Sequence, residues 1–338
     1  IIYHHWSQVN NKNINMKKIL LLFLPLIVFS QLKTKKQLAH TYSIVAMDDK
    51  TGEMAVGVQS HWFSVGTIVS WGRSGVGVVA TQSFVNPAYG PEGIKLMESG
   101  VSAEDALIKL VSEDESRDYR QAAMLDINGS VKAFTGEKCI VNAGQYVGKN
   151  FSVQANMMLN DKVVPAMKKA FEENSELSLA ERIIKVFEAA EESGGDIRGK
   201  QSAALLVVGP EKTDNEWQDK KIDLRVDDSE NPVKEIKRLL KVHRAYEHMN
   251  KGDLAIEHGD MEQALVEYGS AEALFPDNLE MKFWKAVALL NNSRLDEARE
   301  IFKYVIERNG NWEKLLLRLP GSNLISLSPE QVKTQILN

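Results

Sequence analysis

The sequence has a single cysteine, Cys139, and lacks the patterns that mark many cofactor-binding and nucleic-acid-binding proteins. One cysteine excludes an internal disulfide and a zinc site built from several thiolates. The chain carries 41 basic and 46 acidic residues, a formal charge of −5. It therefore lacks the excess of basic residues with which proteins neutralise the phosphates of nucleic acids. Neither phosphate-binding glycine motif is present. We therefore expect no nucleic-acid partner and no nucleotide cofactor.

Long apolar runs are also scarce, and the longest lies near the N-terminus. Residues 19–29 are apolar, follow Met16-Lys17-Lys18 and precede Ser30-Gln31, which is typical of a secretory signal peptide. The run is shorter than the roughly 20 residues of a membrane-spanning helix. We interpret 1–15 as upstream non-native translation, 16–30 as the signal peptide and 31–40 as a linker or propeptide. The protein is then exported to a bacterial periplasm or beyond. The alternatives for the apolar run are a buried strand and a membrane-surface helix.

The length of 338 residues suggests two domains at roughly 150 residues each. In residues 41–228, short alternating segments predict hairpins at 42–48/53–59, 67–71/75–82 and 121–125/130–134. Two capping-box patterns, Ser102 with Asp105 and Ser178 with Glu181, predict helices that begin there. A strand is predicted at 202–208. This order favours a sheet sandwich covered by helices over a doubly wound parallel sheet.

A 34-residue period in residues 232–320 indicates a small all-α domain, with 321–338 as a tail. Gly259, Ala264, Tyr268 and Pro276 recur as Ser293, Ala298, Phe302 and Gly310, and Gly252 adds a small residue in the preceding helix. This pattern is similar to the tetratricopeptide repeat, in which small residues let paired helices approach closely. Two repeats are fewer than the usual minimum of about three. Helices at 231–243 and 312–320 are expected to cap them. The alternative is a plain pair of helical hairpins.

Polar residues cluster where the predicted strands of the first domain begin or end. Thr41 and Ser43 open the first strand, Gln59, Ser60 and His61 end the next, and Gln82 and Ser83 end another. Asn86 and Tyr89 follow in the adjoining loop. Paired strands would bring these ends together around one polar opening, which we call the polar mouth. The alternative is that these residues only cap loops through hydrogen bonds. No histidine spacing predicts a metal site.

Several strings extend this interpretation: TYSIVA at 41–46, VQSH at 58–61, VATQ at 79–82, NPAYGP at 86–91, SVQANM at 152–157 and GDIRGKQSAA at 195–204. Together they resemble the domain-of-unknown-function 1028 family, which is assigned to the N-terminal-nucleophile hydrolase superfamily. The resemblance implies an α+β fold, a four-layer αββα sandwich, whose enzymatic relatives hydrolyse amide bonds. HRAYEHMN at 243–250 and WEKLL at 312–316 resemble a helical extension that longer members carry.

The resemblance also implies a nucleophile at the start of the first strand, where Thr41 fits best, with Ser43 as the second catalytic candidate. The freed α-amine of Thr41 would serve as base, with an ordinary pKa of about 7.7–8.0. This requires a second cut, after His40. The oxyanion donors would be backbone amides around Ser83 or the side chain of Asn156. The expected substrate-binding residues are Gln59, Ser60, His61, Gln82, Ser83, Asn86, Tyr89, Asn156, Arg198 and Gln201.

Two functions of different classes follow from the sequence. The first is an exported amidohydrolase of a small or peptidic amide that uses no metal or cofactor. The second is a non-catalytic periplasmic module of the same fold that binds a ligand or protein. The repeats would hold a protein or cell-wall partner, or be purely structural. No stable membrane insertion is expected, and a homo-oligomer is left open.

Overall fold

The computed structural model describes the backbone of residues 37–39 and the backbone and side chains of residues 41–337. The segments interpreted as upstream translation, signal peptide and most of the linker or propeptide lie outside this range. No helix in the described range is long and apolar enough to cross a membrane.

The first region is a mixed α/β domain with two antiparallel sheets. One has six strands in the order β11-β10-β3-β2-β9-β8, and the other has β1-β5-β6-β7 with β4 also paired to β5. The strands are β1 Gln37–Ala39, β2 Thr41–Met47, β3 Met54–Ser60, β4 Ser70–Arg73, β5 Gly77–Val85, β6 Arg120–Asp126, β7 Val131–Thr135, β8 Gly144–Gly148, β9 Phe151–Ala155, β10 Ser202–Val208 and β11 Lys220–Val226.

The helices are α1 Gly66–Val69, α2 Tyr89–Glu98, α3 Ala103–Glu113, α4 Val163–Glu173, α5 Leu179–Glu192, α6 Pro232–Glu257, α7 Met261–Leu274, α8 Leu279–Asn291, α9 Leu295–Arg308, α10 Asn311–Leu316 and α11 Pro329–Val332. The helices from α6 onward make the C-terminal region all-helical.

The apolar residues of each strand divide between two faces, as the alternation of a strand requires. In the six-stranded sheet, Val45 and Val58 join a cluster with Val78 and Leu125 of the five-stranded sheet. Ile44 and other residues of the opposite face pack with α4 and α5. The outer face of the five-stranded sheet packs with α2 and α3.

The hairpins predicted at 42–48/53–59 and 121–125/130–134 are confirmed as β2–β3 and β6–β7. The strand predicted at 67–71 is wrong over its first half, because residues 66–69 form α1. Val65 N donates to Ser202 Oγ, and Gly66 lies so close to the Ala204 side chain that an added Cβ would come within 2.4 Å of it. These tertiary contacts override the strand preference of Thr67, Ile68 and Val69.

Only one of the two predicted helix caps forms. Ser102 accepts a hydrogen bond from Asp105 N at 3.1 Å and caps α3. Ser178 makes no side-chain cap hydrogen bond at the start of α5. Its hydroxyl instead accepts from Arg244 of α6, which also binds the Glu181 carboxylate at 2.9 and 3.0 Å. Ser178 and Glu181 therefore connect α5 to α6, and Ser178 does not cap α5.

The boundary expected after residue 228 falls at the start of a long helix that belongs to both regions. Near the N-terminus of α6, Ile236 and Leu240 pack in the core beneath the six-stranded sheet. Near its C-terminus, Ala245 and Met249 pack with α7 and α8. Gly252 lies against the Tyr268 ring, where an added Cβ would approach within 2.5 Å.

Candidate functional site

Three hydroxyl residues lie side by side at one end of the six-stranded sheet. Thr41 of β2 pairs with Ser60 of β3, which pairs with Ser202 of β10. All three are fully buried. Because directly opposed residues of antiparallel strands share a face, these hydroxyls lie on the face that carries Val45 and Val58, toward the other sheet. The start of β2 is thus placed between the sheets.

Amide side chains from both sheets surround the backbone of Thr41. Its carbonyl oxygen accepts from Asn156 N at 3.0 Å and lies 3.3 Å from Gln82 Nε2 and 3.4 Å from Asn156 Nδ2. Gln121 Oε1 accepts from Gln82 Nε2 at 2.6 Å and from Asn156 Nδ2 at 2.9 Å. We call Gln82, Gln121, Gln154 and Asn156 the amide cluster. All four are fully buried, and Gln82 Oε1 has no hydrogen-bond partner among the described residues.

Ser43, the second predicted catalytic residue, lies on the same face as Thr41. Its Oγ accepts from Gln154 Nε2 at 2.6 Å, and Gln154 Oε1 in turn accepts from Ser152 Oγ at 3.0 Å. This chain holds Gln154 in one orientation within the amide cluster. Ser43 is therefore placed to support the site beside Thr41.

Ser83 follows Gln82 within β5 and has an unusual backbone conformation. Ser83 has φ of 71°, in the left-handed region that non-glycine residues rarely occupy. It pairs with Arg120, whose guanidinium donates to the carbonyl of Phe84. Cys139 Sγ lies 3.4 Å from the Arg120 carbonyl, and burial raises the pKa of its thiol. The thiol is therefore protonated at neutral pH and is a poor nucleophile.

Gln59 does not share a compartment with Thr41, contrary to the predicted mouth. It pairs with Tyr42, and both lie on the opposite face of the sheet, toward α5. Tyr42 donates to Glu191 at 2.7 Å, and its pKa is raised by burial first and by that carboxylate second. Within the part of the chain that the structure describes, neither side-chain amide atom of Gln59 has a hydrogen-bond partner. Strand alternation is the reason: adjacent residues of one strand point to opposite faces.

His61, Arg198 and Gln201 lie at the same strand end as Ser60, but carboxylates engage them. His61 N donates to Asp196 Oδ2 at 3.2 Å, and the Arg198 guanidinium binds the same carboxylate at 2.7 and 3.0 Å. Gln201 N donates to the Ser60 carbonyl, while its side chain reaches Asp228 at 3.2 Å. These residues border the site rather than fill it.

Asn86 and Tyr89 belong to a different group, centred on Asp114. That carboxylate lies 3.0 Å from Tyr89 Oη, 3.5 Å from Asn86 Nδ2 and 2.8 Å from Arg120 Nε. Burial opposes ionisation of Asp114, but Arg120 together with hydrogen bonds from Ser116 and Tyr89 outweighs it and holds the pKa of the carboxyl below its ordinary value. Burial and Asp114 raise the pKa of Tyr89. The structure therefore places these two predicted site residues outside the amide cluster.

Sequence reasoning missed Gln121, Gln154 and Asp196. The signal for Gln154 was present, because polar residues at 152, 154 and 156 alternate with apolar ones along β9. For Gln121, the signal was one amide in an otherwise apolar strand. No sequence signal pointed to Asp196, since its partners are His61, 135 residues away, and Arg198 in the same loop.

The side chains around Thr41 supply polar groups that carry no charge. Side-chain amides donate and accept hydrogen bonds without titrating, so they can orient a carbonyl or stabilise an oxyanion. Within residues 41–337, no group of three or more His, Cys, Asp or Glu side chains is placed to hold a metal ion.

Comparisons with known proteins agree with the division into two regions. The model of the family of unknown function DUF1028 matches residues 41–236, and a tetratricopeptide-repeat model matches residues 255–319. The crystal structure of a DUF1028 protein from Silicibacter pomeroyi is 30% identical with a TM-score of 0.54, covering 60% of this chain and 85% of that one. No curated protein matches. The chain, with the family's pattern over more than half its length, belongs to the DUF1028 family.

Proposed function

We propose that residues 41–236 are an amide-bond hydrolase of the N-terminal-nucleophile type, with Thr41 as nucleophile. The observation that carries the proposal is the position of Thr41 at the start of β2, where its carbonyl meets donors from Gln82 and Asn156. The superfamily that the sequence resembles has its nucleophile at the start of the first strand, and acyl transfer needs oriented donors for the oxyanion.

The layering of the domain supports this proposal. The two sheets share one apolar cluster, and each packs with helices on its other face. This is the arrangement expected of a four-layer αββα sandwich. Thr41 and the amide cluster lie between the sheets, at the end where polar residues replace the apolar core.

The proposed reaction begins with cleavage of the His40–Thr41 bond, which frees the α-amine. That amine removes the proton from Thr41 Oγ as the oxygen bonds to the substrate carbonyl carbon. Collapse of the tetrahedral intermediate breaks the C–N bond, and the proton passes to the departing amine. Water then hydrolyses the ester and regenerates the hydroxyl. Asn156 Nδ2 and backbone amides near Ser83 are our candidates to stabilise the oxyanion.

The uncharged side chains of the amide cluster agree with a mechanism in which the α-amine is the base. Gln82, Gln121 and Asn156 cannot act as bases, so proton transfer falls to the α-amine, with an ordinary pKa of about 7.7–8.0. Only the processed chain has that amine at the site. Export would follow from the signal peptide proposed at 16–30.

The test is the N-terminus of the exported protein, measured by intact mass and followed by turnover of amide substrates. We expect a chain that begins at Thr41. Thr41→Ala should lose at least about 1,000-fold in kcat, as expected when a covalent nucleophile is removed. Thr41→Ser should retain activity, and Thr67→Ala, at an exposed threonine, is the matched control. A chain that begins at Gln31, or turnover that survives Thr41→Ala, would contradict the proposal.

A second candidate function is ligand binding without catalysis. Gln82 Oε1 favours it, since a buried acceptor without a partner is where a ligand donor or an ordered water is expected. The same experiment separates the two candidates, because binding requires neither the cut after His40 nor the Thr41 hydroxyl. In either case we propose that the helical repeats bind a protein partner.

A further inference from the structure

Large apolar side chains are exposed on the loops around the Thr41 end of the sheets. Exposed fractions are 64% for Phe63, 38% for Ile140, 79% for Val141, 53% for Leu159 and 57% for Ile197. We call these five residues the apolar rim. Scattered exposed apolar residues are ordinary, but several gathered beside one site indicate a binding surface.

Backbone hydrogen bonds join three of the rim loops. Met157 N donates to the Ile140 carbonyl at 3.4 Å, and Ile197 N donates to the Met157 carbonyl at 3.2 Å. Leu159 N donates to the Gly195 carbonyl at 2.9 Å. The rim residues of these loops are therefore held as one surface rather than on independent segments.

The apolar rim adjoins the proposed nucleophile. Asn156, which binds the Thr41 carbonyl, directly precedes the Met157 loop. Cys139, next to Ile140, contacts the carbonyl of Arg120. Phe63 follows Trp62, whose carbonyl accepts from Ser202 in the row of hydroxyls that includes Thr41. The rim loops thus approach the site from both sheets.

Six charged side chains close to the rim form three ion pairs. Asp196 binds Arg198 at 2.7 Å, Glu191 binds Lys200 at 2.5 Å, and Lys138 lies 3.1 Å from Asp118. These pairs leave little net charge beside the apolar side chains, which gain most from covering an apolar group.

We propose that the apolar rim binds the acyl part of the substrate, and that the substrates are amides of hydrocarbon or aromatic carboxylic acids. The inference rests on the proposed function. In that reaction the acyl group stays bonded to Thr41 Oγ until water releases it, so a surface beside Thr41 contacts it in both steps. The amine part leaves after the first step.

The experiment uses the exported protein and amides of 7-amino-4-methylcoumarin with acetyl, butanoyl and octanoyl groups. We expect kcat/KM to rise at least about 30-fold from acetyl to octanoyl, since each buried methylene favours binding. Val141→Ser and Ile197→Ser should each lower kcat/KM for the octanoyl amide about tenfold and leave the acetyl amide within about twofold. Leu254→Ser and Val266→Ser, at residues 53% and 62% exposed on α6 and α7, are the matched controls.

The outcomes separate this inference from the function on which it rests. Turnover that is independent of acyl length, or rim variants that slow all three amides equally, would overturn the inference and leave the hydrolase standing. Rim variants that dissociate an oligomer without changing acyl preference would reassign the rim as a contact between copies. No turnover of any amide by a chain that begins at Thr41 would overturn both.

Discussion

Gln121 illustrates how much a single buried amide contributes between the sheets. Its Oε1 accepts from Gln82 and Asn156, and its Nε2 lies 3.0 Å from the Ala155 carbonyl. Gln121→Ala would remove a hydrogen-bond partner from each of these buried groups, so we expect a loss of about 2–3 kcal/mol in the free energy of unfolding. Urea denaturation measures this change. Gln218→Ala, at an exposed residue, should cost less than about 0.5 kcal/mol. Equal losses in the two variants would show that the network does not stabilise the fold.

The junction of α5 and α6 shows how one side chain fixes two elements. Arg244 binds Glu181 with two nitrogens and also reaches Ser178. A bidentate guanidinium pair is stronger than a simple surface pair, so Arg244→Met should lower the free energy of unfolding by about 1–2 kcal/mol. Arg238 pairs with Glu235 within α6 and is more exposed, so Arg238→Met should change it by less than about 0.5 kcal/mol. Urea midpoints of the two variants give the comparison, and indistinguishable midpoints would contradict it.

The two regions are built around a shared helix, so the molecule should not divide where the polar stretch before α6 suggests. Val233, Ile236 and Leu240 lie in the core beneath the six-stranded sheet. A chain that stops after Asp228 loses all three, and burial of such a side chain contributes about 1.5–3 kcal/mol. We expect its melting temperature to be at least about 10 °C below that of a chain that stops after Val242. Differential scanning calorimetry tests this. Equal melting temperatures would place the domain boundary before α6.

Local chemistry accounts for the parts of the fold and the site that could be predicted. The hairpin at 121–125/130–134 and the cap at Ser102 depend on residues close together in sequence, and both form as predicted. The cap predicted at Ser178 did not form. The Ser178 hydroxyl accepts instead from Arg244, which lies 66 residues away in sequence and so could not be found from local patterns. Thr41 and Gln59 both mark strand ends, but alternation places them on opposite faces, which the shared-mouth interpretation overlooked.

The sequence by itself determined two of the hairpins, the helix that begins after Ser102, the family and the position of Thr41 at the start of a strand, because these depend on short-range patterns. Only the tertiary structure decided that Gln82 and Gln121 of one sheet meet Asn156 and Thr41 of the other, and that Asn86 and Tyr89 turn to Asp114 instead. The physical reason is that a buried polar group must find partners wherever folding brings them, and those partners come from strands far apart in sequence.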